Sequence, residues 1–469
     1  SARHASDAFV TELQNFTRER LAQHEFPRIV EFVDALPKSA TRTDTPIGRI
    51  THPTRGAVFA ASAAGPAARS EVRVLERRAR QQPAQVPKEI GGRLTGSLVL
   101  TATNSPYLVS TNNLEVPTGV TLTIESGVQV QFGDGKSLRV LGKLFVTGAT
   151  PGDVELTSAK PDKARGDWPG IIVDPGGQAV LRGLTVRYAG TGSSRAAITM
   201  RADALVLEQV VVEDGLAAGI VVEQSAPLRD VTVQRMAKAG VKVDSAGSAS
   251  PAVELTRVTV IGCGEEAVGG PPNVQWSMTG NKARGNGTNG LVVYTTASVG
   301  TSVTWPAGDL PIVVNGTLTV EGTADSRGVL TLAPDTIVKL RSSAKLNVQG
   351  YGVLRANGTA AEPVIFTALA DDDACSTPGE DYCDTNNDGA ATNANGGAWA
   401  NIILDRPTDA THSEISHAEI RYASGPALWV RVPDISVSNV TVRDTRGEAG
   451  IKVTGVSATI ASCRIAGTR

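Results

Sequence analysis

Leu184-Thr185-Val186, Val210-Val211-Val212, Val231-Thr232-Val233 and Val258-Thr259-Val260 are four short aliphatic runs of one pattern, spaced at roughly 20–27 residues. Two of the intervals carry a second run of one form, Gly219-Ile220-Val221-Val222 and Gly240-Val241-Lys242-Val243. A chain of hairpins would join alternating strands through tight Asn-Gly turns at much closer spacing. Recurrence at this longer interval, with two or three short strands per repeat, predicts a coil that stacks on its neighbours. One coil alone cannot bury its inward Val and Leu. Stacking at about 4.8 Å completes the backbone ladders and makes a continuous aliphatic column. The fold expected is therefore all-β, a right-handed parallel β-helix.

The pattern extends both ways. Upstream, Leu122-Thr123-Ile124, Val128 to Phe132, Leu138-Arg139-Val140 and Leu144-Phe145-Val146 alternate with period 2. The composition agrees, with 49 Gly, 3 Met and 4% aromatics among 469 residues, so branched aliphatics must fill the core. A longer duplication overlies the coil repeat. Val154-Glu155-Leu156-Thr157 matches Val364-Ile365-Phe366-Thr367, and Gly166-Asp167-Trp168 matches Gly397-Ala398-Trp399. Leu184 to Gly190 matches Ala418 to Ser424, and Gly119 to Leu122 matches Gly328 to Thr331, in the same order. Two tandem units follow, 92–290 and 291–469, with a seam in the Gly/Asn-rich run Gly280 to Gly290. The second unit carries about 21 extra residues before its Trp strand, within an insertion at 371–396.

Residues 1–91 read differently. Ser6 can N-cap a helix bearing Phe9, Leu13, Phe16 and Leu21. Ile29 to Leu36 suggests a second short helix, and Ser70 to Gln82 a solvated Glu/Arg helix. The remainder reads as an extended linker, and the helices as a cap on the first coil. The chain opens on Ser1 rather than Met, which fits a processed secretory protein, and it stops within a repeat-like pattern, so continuation past Arg469 is expected.

The blocks resemble those of the pectate-lyase-like parallel β-helix superfamily, in its secreted and surface-exposed bacterial members. These carry Gly-Thr-Leu-x-Val, an aliphatic-Phe-Thr strand, an Asp-rich loop, a Gly-x-Trp strand and an Arg-Tyr strand. Here the blocks are Gly316 to Val320, Val364 to Thr367, Asp371 to Asp373 with Asp384 to Gly389, Gly397 to Trp399, and Ile420 to Ala423. The resemblance covers about 92–469. It implies the fold and an extracellular or cell-surface setting, and it is silent on activity.

The insertion holds the strongest candidate site. Asp384, Asn386 and Asp388 place hard oxygens at alternate positions before Gly389, the pattern of a calcium turn. Asp371 and Asp373 are expected to add carboxylates. Asn395 stands where an EF-hand needs a bidentate Glu, so an isolated calcium turn is expected, its role structural. A solvated acidic loop is the alternative. Cys375 and Cys383, eight apart in this loop, are expected to form a disulfide in an oxidising compartment, while Cys263 and Cys463 stay reduced and buried.

Trp168 and Trp399 occupy equivalent positions. Packing is the expected role, and a glycan-stacking platform is the alternative. Tyr188 and Tyr422, each after an Arg, are treated the same way. Net charge of −2 excludes a dedicated nucleic-acid binder, and no run of 18 apolar residues offers a membrane span. The five histidines form no metal motif. Asp214, Asp230 and Asp244 are spaced by 16 and 14, not by one coil, so no catalytic carboxylate pair is expected. The function expected is a structural or adhesive rod whose partners are glycans or proteins, and whose flat faces invite self-association. A polysaccharide lyase or glycoside hydrolase on the same fold is the rival reading, and a releasable propeptide at 1–90 a third.

Overall fold

The computed structural model describes residues 47–52, 56–61, 86–191, 196–202, 204–244, 250–375, 383–389, 391–406 and 412–467. Two bodies are distinguished, 1–84 and 85–469. In the first, Ile47–His52 and Gly56–Ala61 pair antiparallel, a hairpin in the stretch expected to be linker. The helices expected within 1–36 and 70–82 lie outside the described residues.

Residues from Lys88 onward form the solenoid. Its strands are two to seven residues long and pair only in parallel, with the strand one turn before and the strand one turn after. Inward positions alternate with outward ones, as in Leu144 and Val146 between half-exposed or exposed neighbours. The alternation builds columns. One runs through Leu114, Leu138, Ile171, Ile198, Ile220, Val241, Val268, Leu291, Ile312, Val338, Phe366, Ile420 and Val442, each paired with the next. Every member is buried. Each such side chain contributes on the order of 1.5–3 kcal/mol of burial, which the isolated coil could not obtain.

The corners are one-residue bends. Tyr188, Asp214, Arg235, Gly262 and Gly285 follow successive strands of one face, at φ 61°, 56°, 54°, 64° and 65°. A left-handed non-glycine residue costs about 1–2 kcal/mol. The ladders on either side impose it, because any other bend would break register with the turns above and below.

One 15-stranded sheet runs the whole length of the solenoid. The other two faces do not. In the first part they are an 8-stranded and a 9-stranded sheet, ending at Gln275–Thr279 and Lys282–Arg284. Beyond them a 6-stranded and a 5-stranded sheet begin at Ser302–Trp305 and Thr317–Val320. This change of faces lies between Arg284 and Ser302, within one compact unit that spans 85–469. Buried Asn281 and Asn286 finish the last turn before it. Each donates its amide to a backbone carbonyl, Leu255 and Val260, at 3.0 Å.

The duplicated blocks do not lie on the same faces. Val154–Ser158 and Leu184–Arg187 belong to the 9-stranded sheet, whereas their counterparts Val364–Ala368 and Ala418–Arg421 belong to the long sheet. Ile171–Val173 is in the long sheet and its counterpart Ile402–Leu404 in the 5-stranded one. The second copy is thus shifted by one face at the seam. The physical reason is that each face makes the same demand, an inward aliphatic at every second position, so a block fits any of them.

Candidate metal centre in the insertion

Thirty-three residues link strand Val364–Ala368 to strand Ile402–Leu404, against 12 between their counterparts Val154–Ser158 and Ile171–Val173. The short connector is held by Lys160, paired with Asp134 at 3.0 Å and Asp167 at 3.1 Å. The long one folds back over the outer side of the long sheet. Outward positions Val313, Lys339 and Thr367 there have no exposure, and Arg421 retains 9%. The contrast with the other copy is direct: the side chain of Arg187 is 43% exposed, that of its counterpart Arg421 only 11%.

Lys339 sits beneath the insertion and donates to the carbonyls of Asp371 at 2.8 Å and Cys383 at 3.1 Å. Burial pushes its ammonium down to about 8, against the opposing pull of Asp371, Asp372 and Asp384. Cys375 and Cys383 form the expected disulfide. Cys263 is a free buried thiol, as expected. Cys463 is free but only half-buried.

The carboxylate oxygens of Asp372, Asp384 and Asp388 lie within 4.8 Å of one another. Asp384 and Asp388 are where the alternating pattern put them. Asp384 accepts from the backbone N–H of Asp388 and of Gly389, both at 2.9 Å, which closes the turn. Asn386 donates to Asp388 at 2.8 Å and to Thr392 at 3.0 Å. The third carboxylate corrects the sequence expectation. Asp371 turns inward to accept from Thr367 and from Arg421, and Asp373 is exposed. Asp372, between them, joins the cluster. Three consecutive aspartates in a turn point three ways, and nothing in their spacing tells which one faces the loop eleven to seventeen residues later.

Three oxygens here, Asp372 Oδ1, Asp388 Oδ1 and Asn386 Oδ1, are shielded from solvent and receive no hydrogen bond. A buried acceptor without a donor costs about 1–3 kcal/mol, and more when charged. Burial drives the Asp372 carboxyl up to about 6. Lys339 opposes this, and Asp384, Asp388 and Asp371 add to it. A hard divalent cation would satisfy all three features at once: convergent carboxylates, orphaned oxygens and a carboxyl resisting ionisation. The donor set is oxygen only, which suits a hard cation such as magnesium, calcium or manganese and not a thiolate- or imidazole-loving metal.

The candidate glycan contacts fare differently. Trp168 and Trp399 have no exposure, so neither ring can meet a sugar. Each indole N–H donates to the carbonyl of an Arg in the next turn, Arg187 at 2.8 Å and Arg421 at 2.7 Å, and Trp168 stacks on Phe132 at 4.1 Å. They fill a wide corner of the coil. Tyr188 and Tyr422 are half-buried corner residues at φ near 60°, and Tyr422 lines an open cleft with Asn395, Asp444 and Arg446. Asp214 and Asp230 pair with Arg235 at 2.8 Å and Arg257 at 2.6 Å on separate corners, not with each other.

Sequence reading missed Lys339, and it noted Arg421 only as an outward Arg recurring before Tyr422, not as a partner of Asp371. Their signal was a charged residue at an outward position of a strand that precedes or follows the insertion.

The chain is an all-β parallel β-solenoid carrying one disulfide-closed acidic insertion, and none of its described helices is long and apolar enough to cross a membrane. No protein-family model matches it, and comparison with curated proteins and with solved structures finds no significant match.

Proposed function

We propose that this protein is an extracellular structural or adhesive rod. It presents its flank to glycans or to other protein chains, and a calcium ion holds its insertion shut. The carrying observation is the distribution of charge. Along the flank, outward charges neutralise one another turn by turn, as in Arg182–Glu208 at 3.0 Å, Arg201–Asp174 at 3.2 Å and Arg229–Glu254 at 2.8 Å. Among the described residues the one acidic cluster that could hold a metal is half-buried within the insertion, with its nearest lysine fully buried. A lyase or hydrolase needs convergent acid and base groups open to a polysaccharide. A rod needs only a stable, self-neutralised surface. The disulfide is compatible with an oxidising exterior, and the block pattern resembles the non-enzymatic surface branch of the pectate-lyase-like superfamily.

The test has two parts. Glycan arrays and pull-down on matrix proteins should give binding that survives substitution of Asp372, Asp384 and Asp388 by Asn. Digests of pectic, alginate and chitin substrates should release nothing. Release of unsaturated or reducing ends would replace the rod with an enzyme.

A further inference from the structure

At the seam two of the three faces are interrupted, and only the long sheet carries its backbone ladder across, from Thr288–Tyr294 to Ile312–Asn315. Over this stretch the insertion makes contacts on both sides. Before the crossing, Asn289 donates its backbone N–H to the carbonyl of Thr385 at 2.8 Å and its side-chain amide to the carbonyl of Asp384 at 2.9 Å. Gly290 adjoins the same residue: a Cβ there would lie 3.3 Å from the Thr385 methyl group. Beyond the crossing, Lys339 holds the carbonyls of Asp371 and Cys383, and Arg421 holds the Asp371 carboxylate at 3.2 Å. The outward row beneath is dry, with Val292 at 4% and Val313, Lys339 and Thr367 at zero exposure. Cys375 and Cys383 join the two arms of the insertion.

We propose that the insertion, through Asp371 and Cys383 to Thr385, is a latch across the seam, tying the last turn of the first part to the turns of the second where one backbone ladder of three is continuous and the other faces are bridged by side chains such as Asn281, which donates to Asp309 at 3.1 Å. The other copy has no such break at its matching connector, and there a 12-residue link suffices. The latch stands on these contacts and does not depend on a metal.

Hydrogen exchange read by mass spectrometry on the full chain tests it. One variant replaces residues 369–401 with a second copy of residues 159–170. A milder one carries Cys375→Ser and Cys383→Ser. In both, strands Thr288–Tyr294, Ile312–Asn315 and Ile337–Leu340 should exchange faster than in the native chain, at least tenfold in the first. Strands Leu138–Val140 and Ile171–Val173 should be unchanged. Unaltered protection at the seam, or an equal loss along the whole solenoid, overturns the latch. If the first variant does not fold, the second decides on the same two criteria.

Discussion

Replacing Asp372 by Asn should stabilise the calcium-free protein and weaken the calcium-loaded one. The sign reversal follows from the geometry. Asp372, Asp384 and Asp388 hold carboxylate oxygens within 4.8 Å of one another. At that distance two like charges repel by about 1 kcal/mol in water and about 3.5 kcal/mol at an effective dielectric of 20. Solvent reaches part of Asp372, so the lower half of that range applies. Asn removes two of the three repulsions and forfeits the attraction of Lys339, leaving a net gain of roughly 1 kcal/mol without metal. With calcium at a hundred times its dissociation constant, the native protein gains about 2.7 kcal/mol. The variant lacks one anionic ligand and should lose most of that. Differential scanning calorimetry in millimolar calcium and in chelator, on the native chain, Asp372→Asn, Asp373→Asn and the Asp384→Asn/Asp388→Asn pair, reads the effect directly. Asp373→Asn should behave as native. No calcium shift in the native chain, or an Asp372→Asn variant less stable than native in chelator, would refute the reasoning.

Three other outcomes are expected. In chelator, stability should rise as pH falls from 7 to about 5, because the Asp372 carboxyl is raised to about 6 from an ordinary 3.8. The folded state then binds the proton more tightly than the unfolded chain, so the penalty of ionisation builds between about pH 4 and 6 and is full above. Denaturant titrations at both pH values check this, and calcium should abolish the rise. Trp399→Phe should cost about 2–4 kcal/mol through a cavity and an orphaned Arg421 carbonyl, with glycan binding untouched. Calorimetry and a glycan array separate the two. Burial pushes the Cys263 thiol up to about 11, so in the native state it should resist thiol reagents while Cys463 reacts, as peptide mapping after alkylation would show.

The fold was legible in the sequence because a stacked coil leaves a local trace. Val231-Thr232-Val233 and Val258-Thr259-Val260 alternate inward and outward within three residues, and each must align with the next turn, so the repeat length itself records the stacking. The Asp384 to Gly389 turn was legible for the same reason, since its hydrogen bonds are closed within six residues. The choice of Asp372 over Asp371 and Asp373, the burial of Lys339 and the sealing of Trp168 and Trp399 were not. Each depends on a partner tens of residues away in another turn.

By itself, then, the sequence determined the all-β solenoid, the repeated blocks and the disulfide-bearing acidic loop, because periodicity, block order and turn chemistry are local properties. Only the tertiary structure decided which face each block occupies, where the ladder is interrupted and which carboxylates converge. Inward aliphatic columns fit any face equally well. The one-face shift at the seam and the fold of the insertion over Lys339 are therefore set by contacts between turns, about which a linear pattern of Val and Thr carries no information.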